Sequence, residues 1–181
     1  NLGNISALGK GFLMLKDMGL ISKLPRLVCA QSQNANPLYQ SYLNNFETFE
    51  PVLAKTTLAN AIQIGDPVSV NKAIKILKEF DGIVEQASEE ELASASARVD
   101  LTGTFNCPHT GVAITAFEKL VNNKVIKKTD KVVVISTAHG LKFVDFKINY
   151  HLEKLSEISN KFSNHPIEVE ASTDKVMQIL D

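Results

Sequence analysis

Short apolar runs alternate with segments of helical periodicity along this chain, and this alternation restricts the possible folds more than any other feature. Residues 132–135 form an unbroken β-branched series, as expected of a strand covered on both faces. Residues 27–30 and 83–85 also predict short buried strands. Because helices are predicted between these strands, we expect a doubly wound α/β fold with a largely parallel sheet.

The helical segments carry recognisable start and stop signals. Asp66 and Pro67 predict an N-cap and a first helical residue, and Ser88 with Glu91 predicts a capping box. Pro108 predicts the first turn of a further helix. The predicted helices are a mostly buried one over residues 5–18, then 36–43, 66–81, 88–98, one from 108 to about 120, 151–162 and one from 173, with a strand at 167–169.

Two loops are candidates for ligand binding. In doubly wound sheets, ligands bind beyond the carboxyl ends of the strands. Residues 31–36 follow the first predicted strand, and residues 136–140 follow the run at 132–135. No repeat or linker divides the chain, so we expect no domain boundary within it.

Composition excludes several classes of function. The 181 residues suit one domain, and the 19 basic and 20 acidic residues give a net charge of -1, which disfavours nucleic acid and anionic membranes as partners. The apolar stretches are far shorter than the roughly 18 residues of a membrane span. Cys29 and Cys107 lack the spacing of a zinc site or a disulfide framework, so no metal is expected.

The first four residues, Asn1, Leu2, Gly3 and Asn4, form a small polar loop that leads directly into the first predicted helix. Backbone N–H groups at a helix N-terminus favour an anion, and a phosphate suits such a site. The alternative is structural, with Asn4 capping the helix and Gly3 supplying a turn. The short pattern alone favours the structural alternative, and the rest of the sequence must decide.

Four motifs in the same order resemble threonine synthase, most closely its plant-type branch. They are N-L-G-N-I-S-A-L-G at residues 1–9, A-I-Q-I-G-D-P at 61–67, C-P-H-T-G-V-A at 107–113 and S-T-A-H-G-L-K-F at 136–143. Motifs spread over nearly the whole chain are more specific than a single glycine loop.

This resemblance implies a pyridoxal-phosphate enzyme of fold type II, with the three-layer, tryptophan-synthase-β-like architecture. The implied reaction converts O-phospho-L-homoserine and water into L-threonine and phosphate, with the cofactor as electron sink. Residues 1–181 then correspond to the carboxyl-terminal portion of the catalytic large domain, with the upstream part missing. The resemblance also implies a homodimer when complete, in the cytoplasm or, in a plant, the plastid stroma.

The resemblance assigns six residues to the cofactor. Asn1, Leu2, Gly3 and Asn4 match the family's G-N-x-G-N phosphate loop without its first glycine. Thr137 matches the hydroxyl residue that faces the pyridine nitrogen, and its alternative is a local backbone contact at a strand end. Gly65 matches the backbone beside the cofactor ring, and its alternative is a plain turn. The family's Schiff-base lysine segment has no counterpart here, so no catalytic residue is assigned.

His109 and His139 lie inside motifs, and structural hydrogen bonds are the favoured role for both. A thiol and base pair of Cys107 with His109 is disfavoured because neighbouring side chains at a helix start are expected to point apart. Two other functions remain open. One is another fold type II lyase, such as a threonine or serine dehydratase, and the other is a non-catalytic anion-binding module.

Overall fold

A computed structural model describes residues 1–180. It contains seven α-helices and two strands in the described part of the chain. In chain order these are α1 Gly3–Asp17, β1 Val28–Ser32, α2 Pro37–Leu43, α3 Val70–Glu79, β2 Ile83–Ala87, α4 Glu89–Asp100, α5 Pro108–Asn122, α6 Val144–His151 and α7 Thr173–Leu180. Single-turn helices lie at Gln33–Ala35, Asn60–Ile62 and Gly140–Phe143.

The two strands pair in parallel and separate two apolar clusters. Cys29 lies opposite Val84 in the register, and both pack in the cluster that holds α1 and α3. Ala30 and Ala87 belong to the cluster formed with α4 and α5. Because alternate residues of a strand face opposite sides, helices cover both faces of the sheet. The predicted three-layer α/β class is confirmed.

Local signals predicted several helices correctly. Ser88 accepts a hydrogen bond from the Glu91 amide at 3.2 Å, and the Glu91 carboxylate accepts one from the Ser88 amide at 2.8 Å, which completes the capping box of α4. Pro108 occupies the first turn of α5, and α7 begins at Thr173. Helix α1 spans most of the predicted segment. The expectation that it is mostly buried was wrong, because Met14 and other apolar side chains of its last turn are exposed.

The prediction of a strand at 132–135 was wrong for the described structure. No strand within residues 1–180 pairs with this segment, and Val133 is 88% exposed. A β-branched run favours extended backbone, but hydrogen bonds to a neighbouring strand make it part of a sheet. The segment at 167–169 is likewise not a strand.

Two helix boundaries were also wrong. Helix α3 begins at Val70 rather than after Asp66, because the amide of Ser69 donates to the Asn1 carbonyl at 3.3 Å and Pro67 lies in a turn before the helix. The helix predicted at 151–162 is instead α6, which ends at His151. Glu153 and Glu157 have left-handed φ angles of 59° and 64°, which are incompatible with a continuing helix.

Candidate cofactor site

The amino-terminal loop forms an uncapped helix N-terminus. Leu2 is left-handed with φ of 57°, and α1 begins at Gly3 without a side-chain cap or an acidic residue in its first turn. The first amides of a helix lack intrahelical acceptors, and a left-handed residue followed by right-handed ones turns successive N–H groups toward one concavity. Asn1, Gly3 and Asn4 are exposed. The structure therefore contradicts the capping role for Asn4 and leaves these amides accessible to an anion.

Gly65 lies in a segment tied to this loop. Its carbonyl accepts the Val52 amide at 3.0 Å, and four residues later the Ser69 amide bonds to Asn1. A Cβ built on Gly65 would lie 1.8 Å from the Val52 carbonyl oxygen. The close approach that requires glycine here is thus made by the chain's own backbone. A cofactor contact at Gly65 stays a prediction.

His109 connects the Gly65 segment to the start of α5. Its Nε2 accepts a hydrogen bond from the Ala61 amide at 3.0 Å, so the neutral ring carries its proton on Nδ1. The ring also packs edge-on against Phe143, with centroids 4.9 Å apart. His139 caps a single-turn helix, because its Nδ1 accepts the Leu141 amide at 3.2 Å. Both histidines make the structural hydrogen bonds that the sequence favours.

Thr137 lies in a cleft beside the start of α5. Its side chain is exposed, and its Oγ1 lies 3.9 Å from the Sγ of Cys107. The neighbouring Ser136 hydroxyl lies 3.2 Å from Thr110 Oγ1. The cleft has a volume of about 410 Å³ and is lined by Gly103, Thr104, Phe105, Ser136, Thr137, Ala138 and His139.

Cys107 contacts more of this site than the sequence indicated. Its Sγ lies 3.3 Å from Thr110 Oγ1 and 3.9 Å from Thr137 Oγ1, and the expectation that the Cys107 and His109 side chains point apart stays a prediction. Desolvation raises the pKa of Cys107, but hydrogen bonds to His109, Thr110 and Thr137 outweigh it and lower the pKa to about 6. Burial raises the pKa of Cys29 to about 12. The pKa values of the two thiols are therefore shifted in opposite directions from that of an ordinary cysteine.

We expect a thiolate titration that belongs to Cys107 alone. Because its pKa is lowered, the thiolate should be the main form above pH 6, and its ultraviolet absorbance should rise with a midpoint near that pH. The measurement is the difference in absorbance near 240 nm between the wild-type chain and Cys107→Ser. Cys29→Ser serves as the control and should leave the step unchanged. A step that appears only above pH 8 would contradict the assignment.

The other candidate loop, residues 31–36, forms hydrogen bonds with other parts of the chain. The Ser32 hydroxyl donates to Glu89 Oε1 at 3.0 Å, and the Asn34 amide group donates to the Thr56 carbonyl at 2.7 Å. The Lys55 amide donates to the Asn34 carbonyl at 2.8 Å. These bonds fix the residues beyond β1 against the segment that leads to Gly65. The loop therefore supports the site, and its polar side chains are hydrogen-bonded to other parts of the chain.

Sequence reasoning did not identify the buried polar residues behind Thr137. Asn106 and Lys147 are almost fully buried, and Asp100 lies between them. The three come from the end of α4, the residues before α5, and α6. Their spacing of six and 41 residues matches no motif, so only the fold brings them together.

The predicted residues lie on segments that are linked by hydrogen bonds. Asn1 bonds to Ser69 near Gly65, Ala61 bonds to His109, and Cys107 contacts Thr137. The family model described as "Pyridoxal-phosphate dependent enzyme" matches residues 1–138. The chain belongs to this family. The match includes all six residues predicted to hold the cofactor.

Known relatives match nearly the whole chain. The chain is 54% identical over 181 residues to "Threonine synthase 2, chloroplastic" of Arabidopsis thaliana, covering 99% of this chain and 35% of that protein. It is 31% identical to "Threonine synthase" of Methanocaldococcus jannaschii, covering 99% of this chain and 42% of that protein. The chain thus spans about two fifths or less of these relatives.

A solved structure supports the fold. The crystal structure of threonine synthase from Escherichia coli superposes with a TM-score of 0.62 at 16% sequence identity, covering 96% of this chain and 40% of that one. The similarity shows a shared fold type II architecture. No helix within residues 1–180 has the length and apolar character needed to cross a membrane.

The geometry fits the cofactor of this family. A phosphate group needs clustered N–H donors without a competing carboxylate, and the N-terminus of α1 offers them. A Cβ built on Gly3 meets no atom within 4 Å, so open space lies beside these amides. The exposed Thr137 hydroxyl supplies one neutral donor at the other predicted contact.

Proposed function

We propose that this chain is the carboxyl-terminal part of the catalytic domain of a threonine synthase. The complete enzyme would convert O-phospho-L-homoserine and water into L-threonine and phosphate, as a lyase of threonine biosynthesis. The observation that carries the proposal is the linkage of the uncapped loop at Leu2, the Gly65 segment and Thr137 through Asn1, Ala61 and Cys107. Identity to threonine synthases over the whole chain supports the substrate class.

Each predicted residue has a defined task in this proposal. The amides of Leu2, Gly3 and Asn4 bind the cofactor phosphate, aided by the positive end of α1. The Thr137 hydroxyl donates to the pyridine nitrogen and leaves it uncharged, which moderates the electron sink that the bound cofactor supplies. His109 keeps the Gly65 segment against α5. The lysine that holds the cofactor covalently comes from residues outside this chain.

The assembly and compartment follow the same proposal. The complete enzyme acts as a homodimer on a small phosphorylated amino acid. The chloroplastic Arabidopsis relative supports the plastid stroma as its compartment. Fractionation of cells that express the complete protein with a fluorescent tag, together with its mass in solution, tests both statements.

We expect Gly3→Val to weaken cofactor binding in the complete protein without unfolding it. Gly3 has no left-handed φ and no neighbour within 4 Å of a Cβ, so the fold tolerates a side chain there. The branched side chain would fill the space that the phosphate needs, and the dissociation constant of pyridoxal phosphate should rise about tenfold or more. Absorbance titration measures it, and Gly11→Val on the same helix is the control.

Two results would redirect the proposal. Equal cofactor affinity in wild type and Gly3→Val would remove the amino-terminal loop from the site. A complete protein that binds the cofactor but releases keto acid and ammonia from threonine, rather than phosphate from O-phospho-L-homoserine, would be a dehydratase. A protein that binds phosphate with neither activity would be the anion-binding module.

A further inference from the structure

A buried ion pair lies behind the cleft that contains Thr137. The Lys147 side chain is 4% exposed, and its Nζ donates to Asp100 Oδ2 at 2.5 Å and to Ser96 Oγ at 2.8 Å. Burial holds the pKa of Lys147 below its ordinary value, and the opposing effect of Asp100 offsets this only in part. His151 Nε2 lies 3.8 Å from the same carboxylate. Two buried charges are costly unless further hydrogen bonds satisfy them, so the remaining partner of Asp100 becomes important.

That partner is Asn106, which is 1% exposed. Its Nδ2 donates to Asp100 Oδ1 and to the Ser96 carbonyl, both at 3.0 Å, and its Oδ1 accepts the Ser96 hydroxyl at 3.1 Å. Its backbone N–H also donates to Asp100 Oδ1, at 3.2 Å. With both side-chain polar atoms engaged, Asn106 is held in one orientation.

Backbone contacts connect the fixed Asn106 to the loop that contains Thr137. Its backbone forms an antiparallel bridge with His139, and the Phe105 carbonyl accepts the Gly140 amide at 3.0 Å. The next residue, Cys107, contacts the Thr137 hydroxyl. Residues 105–107 therefore lie along residues 137–140. Within residues 1–180 the loop belongs to no strand of the sheet, and the bridge between Asn106 and His139 joins it to residues 105–107.

We propose that Asn106, held by Asp100 and Ser96, which both also bind Lys147, is the positioning residue that fixes the Thr137 hydroxyl for its contact with the pyridine nitrogen. The inference rests on the proposed function, since it assumes that Thr137 faces the cofactor ring. Asn106 does not touch the cofactor and acts through the loop. Replacing Asn106 should therefore change the affinity and absorbance of the bound cofactor only when Thr137 keeps its hydroxyl.

The test is a double-mutant cycle of Asn106→Ala and Thr137→Ala in the complete protein. We expect Asn106→Ala to raise the dissociation constant of pyridoxal phosphate about tenfold and to shift the pH dependence of the bound cofactor's absorbance. In the Thr137→Ala background the same substitution should change neither quantity. A merely structural residue would add its full effect in both backgrounds, and that result would overturn the inference.

Stability measurements separate positioning from folding. Unfolding of the cofactor-free protein reports the packing loss, which should be equal with and without the Thr137 hydroxyl. Thr115→Val is the control, because Thr115 on α5 is also buried, at 3% exposed, and its hydroxyl has no partner in the described structure. It should leave the cofactor's affinity and absorbance unchanged. A shift as large as that of Asn106→Ala would count against a specific role for Asn106.

Two double variants, called here the first pair and the second pair of substitutions, test the inference if Asn106→Ala does not fold. Asp100→Asn with Lys147→Met removes both buried charges but keeps an oxygen for Asn106, whereas Asp100→Leu with Lys147→Met removes that oxygen as well. Neither pair leaves an unpaired buried charge. We expect wild-type cofactor absorbance in the first pair and a shifted pH profile in the second. Identical profiles in the two pairs would overturn the inference.

The proposed function fails in a different way. If Thr137→Ala alone left the cofactor's affinity and absorbance unchanged, Thr137 would not face the ring, and the function would lose one of its contacts. If Thr137→Ala changed them and Asn106→Ala did not, only the positioning role of Asn106 would be wrong.

Discussion

The chain of 181 residues is expected to form no threonine from O-phospho-L-homoserine on its own. Covalent capture of pyridoxal phosphate needs an amine fixed at the cofactor aldehyde. The buried amine of Lys147 is engaged by Asp100 and Ser96 behind the cleft. Lys75 and Lys128 are exposed and lack such preorganisation. The rate of phosphate release from O-phospho-L-homoserine should therefore equal the rate measured with pyridoxal phosphate in buffer without protein.

The assay combines phosphate release, threonine formation and borohydride trapping followed by mass spectrometry. The isolated chain should give a scatter of trapped surface lysines, and the complete protein should give one dominant lysine from outside residues 1–181. Lys147→Met combined with Asp100→Asn in the chain is the control, since it removes the buried amine without leaving an unpaired buried charge and should change nothing in the assay. Turnover by the chain with one dominant trapped lysine would reject the proposal that it is a partial catalytic domain.

Elements with signals inside their own sequence could be predicted. The capping box of α4 and the Pro108 start of α5 depend on residues within one turn, and their geometry follows from local backbone chemistry. The errors at 132–135 and at Asp66 concern segments whose state depends on distant partners. A strand needs a neighbour, and the start of α3 depends on a bond from Ser69 to Asn1.

The residues of the candidate site also differ in whether local sequence predicts them. Leu2, Gly3 and Thr137 lie in contiguous motifs, so resemblance to a family could identify them from the amino-acid sequence alone. Asn106 and Lys147 are 41 residues apart, and both bond to Ser96 and Asp100 because α6 packs against the end of α4. No periodicity or spacing encodes that meeting. The supporting residues of a site are therefore harder to predict than those proposed to touch its ligand.

Gly65→Ala is expected to destabilise the cofactor-free protein by about 3 kcal/mol or more. The added Cβ would lie 1.8 Å from the Val52 carbonyl oxygen and 3.1 Å from the Ala54 backbone nitrogen. Both contacts are with backbone, so the two segments must separate and the bond from the Val52 amide to Gly65 is lost. Thermal and denaturant unfolding of the complete protein, each without cofactor, measures the change.

Gly11→Ala is the matched control for this substitution. Gly11 lies inside α1, and a Cβ there meets no atom within 4 Å, so alanine should stabilise the helix by roughly 1 kcal/mol. Both substitutions add one methyl group. Opposite changes in the free energy of unfolding would show that the effect at Gly65 comes from its close approach to the Val52 backbone. If Gly65→Ala left the cofactor-free protein as stable as wild type but weakened cofactor binding, the glycine would serve the ring rather than the Val52 backbone. If both stability and binding fell, loss of the backbone contact would be sufficient to explain the weaker binding, because the Gly65 segment also holds Asn1 through Ser69.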